Sequence, residues 1–224
     1  LRGAEGLAAC LRHVQEHQRP DRILDTGDTI FDSAAAPQAR VRSLWELSQK
    51  VWQAECGVPV ERAIGNHDIW GINKGKSQTT GDEPLHGKKW VMSLHGWERP
   101  YRSFDRAGWH FVALDTVSPQ ENTYIGHIDD EQFAWLERDL AEVGGKTPVL
   151  LFGHIPLLSA AVFFKGERAA SGEWSVPPSR MVIDVRRLKD LFYKHPNVKV
   201  CLSGHLHMVD RVDYLGVSSL CNGA

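Results

Sequence analysis

The segment GHLH at residues 204–207 follows a predicted buried strand at 198–202 and places two histidines in a turn. The segment GNHD at 65–68 follows a second predicted strand, 60–64, in the same way. GD at 27–28 and GH at 153–154 follow two more, 22–24 and 148–152. Because ligands bind beyond the carboxyl ends of strands in open α/β sheets, polar groups at four such ends converge if the strands are neighbours. The repeated pattern therefore predicts an α/β protein with one site at a sheet edge.

A glycine precedes the polar residues at each of the four strand ends, at positions 27, 65, 153 and 204. Glycine allows the tight or positive-φ turns that let neighbouring side chains point at one spot. The side chains that follow are carboxylate, amide and imidazole groups, which are ligands of divalent metals. Two metals held close together are a standard device for cleaving phosphate esters. The candidate ligand groups are Asp28, Asn66 with His67, His154, and His205 with His207.

Apolar periodicity predicts alternating helices and strands along the whole chain. Helices are expected at 6–17, 41–56, 129–143 and 183–194. Besides the four strands already named, hairpins are expected from 101–105 with 109–115 and from 209–214 with 217–220. Residues 71–89 are polar and rich in Gly, Lys and Thr, so a long loop without regular structure is expected there. The lysines of that loop, Lys74, Lys76, Lys88 and Lys89, either contact a phosphate or are simply solvated.

Composition limits the classes of protein to consider. The 224 residues are 42% hydrophobic with a formal net charge of −2, which suits one globular domain over 1–224 and indicates no nucleic-acid partner. No pair of the four cysteines has the spacing of a zinc ribbon. No apolar run reaches the roughly 20 residues that span a bilayer, so no membrane segment is expected. A cytoplasmic location is expected, with export by a leader upstream of Leu1 left open, as is the oligomeric state.

The four segments resemble the calcineurin-like metallophosphoesterase superfamily, whose pattern is Asp-x-His, Gly-Asp, Gly-Asn-His-Asp/Glu, a single His and Gly-His-x-His. The resemblance covers nearly the whole chain and implies a four-layer α/β/β/α sandwich of two mixed sheets flanked by helices. It also implies two divalent metal ions, with manganese, iron or zinc as candidates. Asp28 would bridge both ions, Asn66, His154 and His205 would complete one site, and His207 would belong to the other.

The opening Asp-x-His of that pattern is absent from the sequence. The chain is therefore expected to be truncated or incompletely ordered at both ends, with the second metal site incomplete. The resemblance implies phosphoester hydrolysis by a hydroxide that bridges the metals. His67 would protonate the leaving oxygen or stabilise the transition state, and Asp68 would orient its imidazole. The alternative for Asp68 is a helix N-cap.

Departures from individual subfamilies narrow the substrate. No arginine follows Asp28 closely, unlike in phosphoprotein phosphatases, and Phe31 stands where purple acid phosphatases have a tyrosine ligand. The segment GHIDDEQ at 126–132 and the strand at 109–115 are similar to bacterial cyclic-nucleotide-phosphodiesterase-like members. A small phosphomonoester or phosphodiester is expected as substrate, a cyclic nucleotide being one candidate.

Two other functions fit parts of the sequence. His13, Glu16 and His17 match the His-x-x-Glu-His order of inverted zinc peptidases, in which both histidines would share one helix face. A non-catalytic scaffold that keeps the metallophosphoesterase fold is the second alternative, because the Asp-x-His segment is missing.

Overall fold

The computed structural model describes residues 2–164 and 172–223, which form alternating helices and strands. The helices are α1 (Arg2–His17), α2 (Gln38–Glu55), α3 (Lys74–Ser77), α4 (Lys89–His95), α5 (Asp130–Val143) and α6 (Val185–Lys194). The strands are β1 (Ile23–Asp25), β2 (Val60–Arg62), β3 (Arg102–Arg106), β4 (Trp109–Ala113), β5 (Val117–Pro119), β6 (Tyr124–Gly126), β7 (Val149–Phe152), β8 (Val198–Ser203), β9 (Asp210–Tyr214) and β10 (Val217–Cys221). Short 3₁₀ turns lie at Asn66–Asp68 and Ala160–Phe164.

A six-stranded mixed sheet, in the order β3-β4-β7-β8-β10-β9, forms the centre of the molecule. Its four inner strands are parallel, and the edge strands β3 and β9 run antiparallel to their neighbours. Because β7 and β8 are parallel neighbours, the segments that follow them, 153–154 and 204–205, emerge at the same edge of the sheet. Strands β1 and β2 form a separate parallel pair, so the segments that follow them also emerge side by side.

The two faces of the large sheet are covered differently, as the alternation of side chains along a strand requires. On one face, Ala113 and Phe152 pack against Leu24 and Ala63, which belong to β1 and to the residue after β2. The opposite face packs against α5 and α6 through one continuous apolar cluster. That cluster includes Val112, Val149, Leu151, Phe133, Leu136, Leu140, Leu188 and Leu191. The large sheet is thus enclosed between the β1–β2 pair and two helices.

The outer layer over β1 and β2 consists of α1 and α2, which pack against each other. The Arg62 guanidinium of β2 lies over the ring of Trp52 in α2, with 4.1 Å between Arg62 Cζ and the ring centroid. The predicted α/β fold is confirmed, with helices outside two facing layers of strands. The two facing sheets are unequal, because β1 and β2 have three residues each and pair only with one another among the described residues. The expectation of two mixed sheets is corrected for this pair, which is entirely parallel. Strands β5 and β6 form a third sheet, an antiparallel pair.

The segment predicted as an irregular loop, residues 71–89, contains α3 and ends in α4, so that prediction is corrected here. Trp90 of α4 is buried and meets Trp70 edge-on, with 5.0 Å between ring centroids. Lys88 forms an ion pair with the buried Asp115 at the start of α4, so it is not a solvated loop lysine. Packing of a few large side chains, rather than helical periodicity, holds this region.

The described residues contain no helix that is both long enough and apolar enough to cross a membrane.

His95, the last residue of α4, supplies a test of this packing. Burial, and then the positive charges of Arg62 and Arg102, lower its pKa from the ordinary 6.5 to about 4. Between those pH values His95 is protonated in the unfolded chain but not in the native protein. The free energy of unfolding therefore falls as the pH is lowered from 6.5 towards 4. We expect His95→Gln to reduce the fall in the urea midpoint over this pH interval. Equal pH slopes for wild type and variant would contradict the assignment.

Candidate metal centre

The side chains of Asp28, His154 and His205 meet at one point, with a candidate ligand atom from each lying within 4.8 Å of the others. His154 Nε2 is at the middle of the group. It lies 3.2 Å from Asp28 Oδ2, 3.1 Å from His205 Nδ1 and 3.0 Å from Asn66 Oδ1. The structure therefore brings together four of the five residues predicted as metal ligands, from four separate strand ends.

Main-chain carbonyl groups determine which ring nitrogen of each histidine faces the group. His154 Nδ1 lies 2.9 Å from the carbonyl oxygen of Thr26, and His205 Nε2 lies 2.9 Å from that of Ser179. Because a carbonyl oxygen can only accept, each of these nitrogens carries the hydrogen and donates it. In the neutral rings, the lone pairs of His154 Nε2 and His205 Nδ1 then point at the centre of the group.

The Asp28 carboxylate and the Asn66 side-chain oxygen complete a set of two nitrogen and two oxygen lone pairs directed at one another. Such an arrangement is repulsive unless a positive charge lies between the atoms. Mixed imidazole and oxygen ligands suit borderline divalent ions such as zinc, manganese or iron. The donor set therefore fits a divalent metal, and the geometry gives the chemical reason.

The protonation of Asp28 and that of His154 are coupled. Burial alone would raise the pKa of Asp28, but the hydrogen bond and charge of His154 outweigh it and hold the pKa below its ordinary value. Burial would lower the pKa of His154, and the hydrogen bond and charge of Asp28 raise it instead. The two groups thus stabilise each other's charged forms.

Three of the predicted ligands have an unusual backbone conformation. The φ angle is +58° at Asp28, +69° at His205 and +54° at His207, in the left-handed region that non-glycine residues rarely adopt. Such conformations persist where the surrounding structure enforces them, and they cluster at functional sites. At the fourth strand end, the hydroxyl of Thr116 accepts hydrogen bonds from the amides of His154 and Ile155, at 3.1 and 2.8 Å. These amides fix the turn that aims the His154 ring.

The loops after β1 and β2 touch through their backbones. A Cβ atom on Gly65 would collide with the amide nitrogen and carboxylate of Asp28, and one on Gly27 would lie 2.5 Å from the Gly65 nitrogen. The two glycines are therefore required by the close approach of two backbones as well as by turn geometry. That approach places Asp28 beside the turn that carries Asn66 and His67.

The fully buried carboxylate of Asp68 joins the same two loops. Its Oδ2 accepts from the amides of Gly65 and Asp28, at 2.8 and 3.0 Å, and its Oδ1 accepts from the amide of Ile30 at 3.2 Å. Burial, followed by the charge of Asp28, raises its pKa to about 7. Asp68 was predicted to orient the His67 imidazole, with a capping role as the alternative. Asp68 is not the N-cap of the 3₁₀ turn, because Gly65 occupies that position. Asp68 is the third residue of the turn, and its carboxylate accepts from the amide of Gly65.

His67 is instead oriented by the main chain after β1. The amide of Asp32 donates to His67 Nδ1 at 3.2 Å, so the neutral ring carries its hydrogen on Nε2. The amide of His67 donates to Asp28 Oδ1 at 2.8 Å, and its ring stacks on Phe31 with 5.0 Å between centroids. The imidazole is therefore held next to the ligand cluster with its N–H group available.

His207 lies outside the cluster of Asp28, His154 and His205 and is exposed. It lines a cleft of about 670 Å³ together with Asp28, His67 and Phe31. Its predicted role in a second metal site therefore stays a prediction.

The residues of the peptidase alternative are not part of any cluster of three or more metal-ligating side chains among residues 2–164 and 172–223. His13 and His17 stack on each other on the exposed surface of α1, with 4.3 Å between ring centroids. His17 Nδ1 is hydrogen-bonded to the main-chain oxygen of His13 at 2.9 Å. The geometry therefore gives the peptidase alternative no support.

Sequence reasoning missed the groups that orient the ligands: the carbonyl groups of Thr26 and Ser179, the hydroxyl of Thr116 and the amide of Asp32. Three of the four act through the main chain, which carries no sequence signal. Thr116 follows a strand and could have been suspected from its position alone, although its residue type is common in such turns.

Comparison with known proteins concerns the family and the fold of the chain. A family model described as calcineurin-like phosphoesterase matches residues 2–209. The 3′,5′-cyclic adenosine monophosphate phosphodiesterase CpdA of Escherichia coli (strain K12) is 27% identical over 214 residues, which are 95% of this chain and 64% of that enzyme. This chain thus spans less than two thirds of the length of that curated relative.

Two solved structures show the same fold. A dimetal phosphatase from Danio rerio gives a TM-score of 0.68 at 18% identity, covering 99% of this chain and 77% of its own. GAP50, described as the anchor in the inner membrane complex of Plasmodium, gives a TM-score of 0.52 at 14% identity, covering 100% of this chain and 67% of its own. At these identities the likeness is one of fold alone.

The contact between the two glycine loops can be tested by Gly65→Ala. The added methyl group collides with Asp28, so we expect a loss of stability of at least the roughly 1–3 kcal/mol typical of overpacking, and weaker manganese binding. Gly145→Ala is the matched control, because a Cβ there meets nothing within 4 Å. Urea unfolding and calorimetric manganese titration provide the measurements. Wild-type manganese affinity in Gly65→Ala would show that the loop contact does not shape the centre.

Proposed function

The chain belongs to the calcineurin-like phosphoesterase family, and we propose that it hydrolyses a phosphoester with divalent metal bound by Asp28, Asn66, His154 and His205. The observation that carries this proposal is the convergence of four lone-pair donors around His154 Nε2. Divalent ions held there would supply Lewis acidity to the phosphoryl oxygens and make attacking water more acidic.

The residues of the chain supply the remaining chemistry. Asp28 is the proposed bridging ligand. Its main-chain amide donates a hydrogen bond to the Asp68 carboxylate, which holds its loop in place. His67 is the proposed hydrogen-bond donor to the leaving oxygen. Its Nδ1 already accepts from the amide of Asp32, so the Nε2–H of the neutral ring stabilises the charge that develops on that oxygen, and the proton stays on the ring. His207, on the same cleft, is the proposed ligand on the opposite side of Asp28.

The size of the cleft and the relative with an assigned substrate suggest which phosphoesters to test. A cleft of about 670 Å³ suits a small molecule. The E. coli relative is named for 3′,5′-cyclic adenosine monophosphate, so a cyclic nucleotide is the proposed first substrate to assay. Hydrolysis of the diester without further release of phosphate would identify a phosphodiesterase rather than a phosphomonoesterase.

The metal centre is tested by His154→Ala against His13→Ala. Both replace a histidine, but His154 is buried at the centre and His13 is exposed on α1. With added manganese and bis(p-nitrophenyl) phosphate, we expect His154→Ala to lower kcat/KM by about 10²-fold or more and His13→Ala to leave it unchanged. Chelation with EDTA should abolish wild-type turnover, and manganese should restore it. The reverse ranking of the two variants would overturn the proposal.

The donor role of His67 predicts a dependence on the leaving group. We expect His67→Ala to lower kcat by about 10²–10³-fold for an alkyl phosphodiester, the usual cost of removing one hydrogen-bond donor to a developing oxyanion. The loss should be much smaller for a p-nitrophenyl ester, because nitrophenolate is a stable anion without such a donor. Calorimetric titration should show that manganese still binds the variant. Equal losses with both leaving groups would assign His67 a role other than stabilising the leaving oxygen.

A non-catalytic scaffold is the second candidate. One observation favours it: the described residues bring together a single cluster of three metal-ligating side chains, with His207 outside it. Under this reading manganese binds to the wild-type protein, but no divalent metal supports turnover of any phosphoester. Metal titration combined with the hydrolysis assay therefore separates the two candidates.

A further inference from the structure

Phe31 is a large apolar side chain displayed beside the metal cluster. It follows Asp28 by three residues, and 71% of its surface is exposed. Exposed apolar residues are common on protein surfaces, so exposure alone indicates nothing. The position of Phe31 is unusual because it lines the same cleft as Asp28, His67 and His207.

The backbone on both sides of Phe31 is anchored. On one side the amide of Ile30 donates to Asp68 Oδ1, and on the other the amide of Asp32 donates to His67 Nδ1, each at 3.2 Å. The side chain of Ile30 is buried in the main apolar cluster. The phenyl ring therefore projects from a fixed point of the loop and is already oriented before any ligand binds.

One face of the ring is already used. Phe31 stacks on the imidazole of His67, with 5.0 Å between centroids and 23° between ring planes. Phe31 is largely exposed and is one of the residues that line the cleft, so the ring surface not covered by His67 is accessible. The cleft is also lined by Leu44 and Leu47 of α2, so its apolar surface extends beyond Phe31.

We propose that Phe31 is a stacking platform for a planar aromatic group of the substrate, so that the site prefers nucleotide-type phosphoesters over aliphatic ones. This inference rests on the proposed phosphoester hydrolysis. His67 is the proposed donor to the leaving oxygen, and the Phe31 ring stacks on His67 with 5.0 Å between centroids. A ring attached near that oxygen therefore meets the open phenyl face.

The experiment compares Phe31→Ala and Phe31→Trp on two diesters, 3′,5′-cyclic AMP and the aliphatic glycerophosphocholine. Base–aromatic stacking is worth about 1–3 kcal/mol, which corresponds to about 5- to 150-fold in affinity. We expect Phe31→Ala to raise KM for the cyclic nucleotide by that factor. Phe31→Trp should retain the low KM, and Phe31→Ala should raise KM for the aliphatic diester much less than for the cyclic nucleotide. Loss of the contact with His67 lowers kcat for both diesters alike. Thermal melting checks that all proteins are folded.

Tyr193→Ala is the matched control, because Tyr193 is an exposed aromatic residue on α6 that does not line this cleft. It should behave as wild type on both substrates. Equal effects of Phe31→Ala on KM for both diesters, or no effect on KM for either, would overturn the inference while leaving phosphoester hydrolysis in place.

Calorimetric titration with 5′-AMP in the presence of manganese separates the two proposals, since binding needs no turnover. Wild-type binding that weakens in Phe31→Ala, together with no hydrolysis of any ester, would contradict the proposed function and leave the platform supported. Identical binding of 5′-AMP to wild type and Phe31→Ala, or none to either, would overturn the platform.

Discussion

A single buried carboxylate, that of Asp68, holds the two loops on which the centre depends. Three main-chain amides from two separate loops converge on it. Hydrogen bonds to an ionised acceptor are stronger than neutral ones, and a buried carboxylate without them would be very costly. Burial, and then the charge of nearby Asp28, raise the pKa of Asp68 to about 7 in spite of the amides. The three hydrogen bonds to Asp68 are therefore strong enough to hold the two loops together even with the Asp28 carboxylate nearby.

This link explains how a repulsive set of lone pairs is maintained. Asp28 is bound to Asp68 through its amide and to the amide of His67 through its carboxylate. The turn can then keep a left-handed φ angle that costs roughly 1–3 kcal/mol. The packed strands beneath and the hydrogen bonds to Asp68 supply that energy. A site arranged in this way needs little reorganisation when a cation or a developing charge arrives.

The sequence predicted the architecture because strand ends are visible in it. Asp28, Asn66, His154 and His205 each follow a short apolar segment, and parallel pairing of β1 with β2 and of β7 with β8 brings those ends together. The bounds of α5 were close to the prediction, since Asp129 caps it by accepting from the amide of Gln132 at 2.8 Å. These features are local, and local chemistry is what a single sequence records.

Other features were not accessible from the sequence, for identifiable reasons. Helix α4 begins at an ion pair between Lys88 and Asp115 and is held by Trp90, so its stability is tertiary. The sequence could not show whether the Asp68 carboxylate binds main-chain amides or the His67 imidazole, because both roles require a carboxylate one residue after His67. The exposure of His207 depends on a turn whose φ angle no propensity predicts.

The carbonyl groups of Thr26 and Ser179 have a wider consequence. A carbonyl group is present whatever side chain its residue carries, so substitutions at either position leave an acceptor for the imidazole N–H in place. Mutation of Thr26 or Ser179 therefore does not remove the acceptor that orients the His154 or His205 ring, whereas a side-chain acceptor could be lost by a single substitution. The exposed positions around the cleft have no such constraint. Substitutions at residues such as Phe31 could therefore change the substrate specificity while the metal ligands keep their orientation.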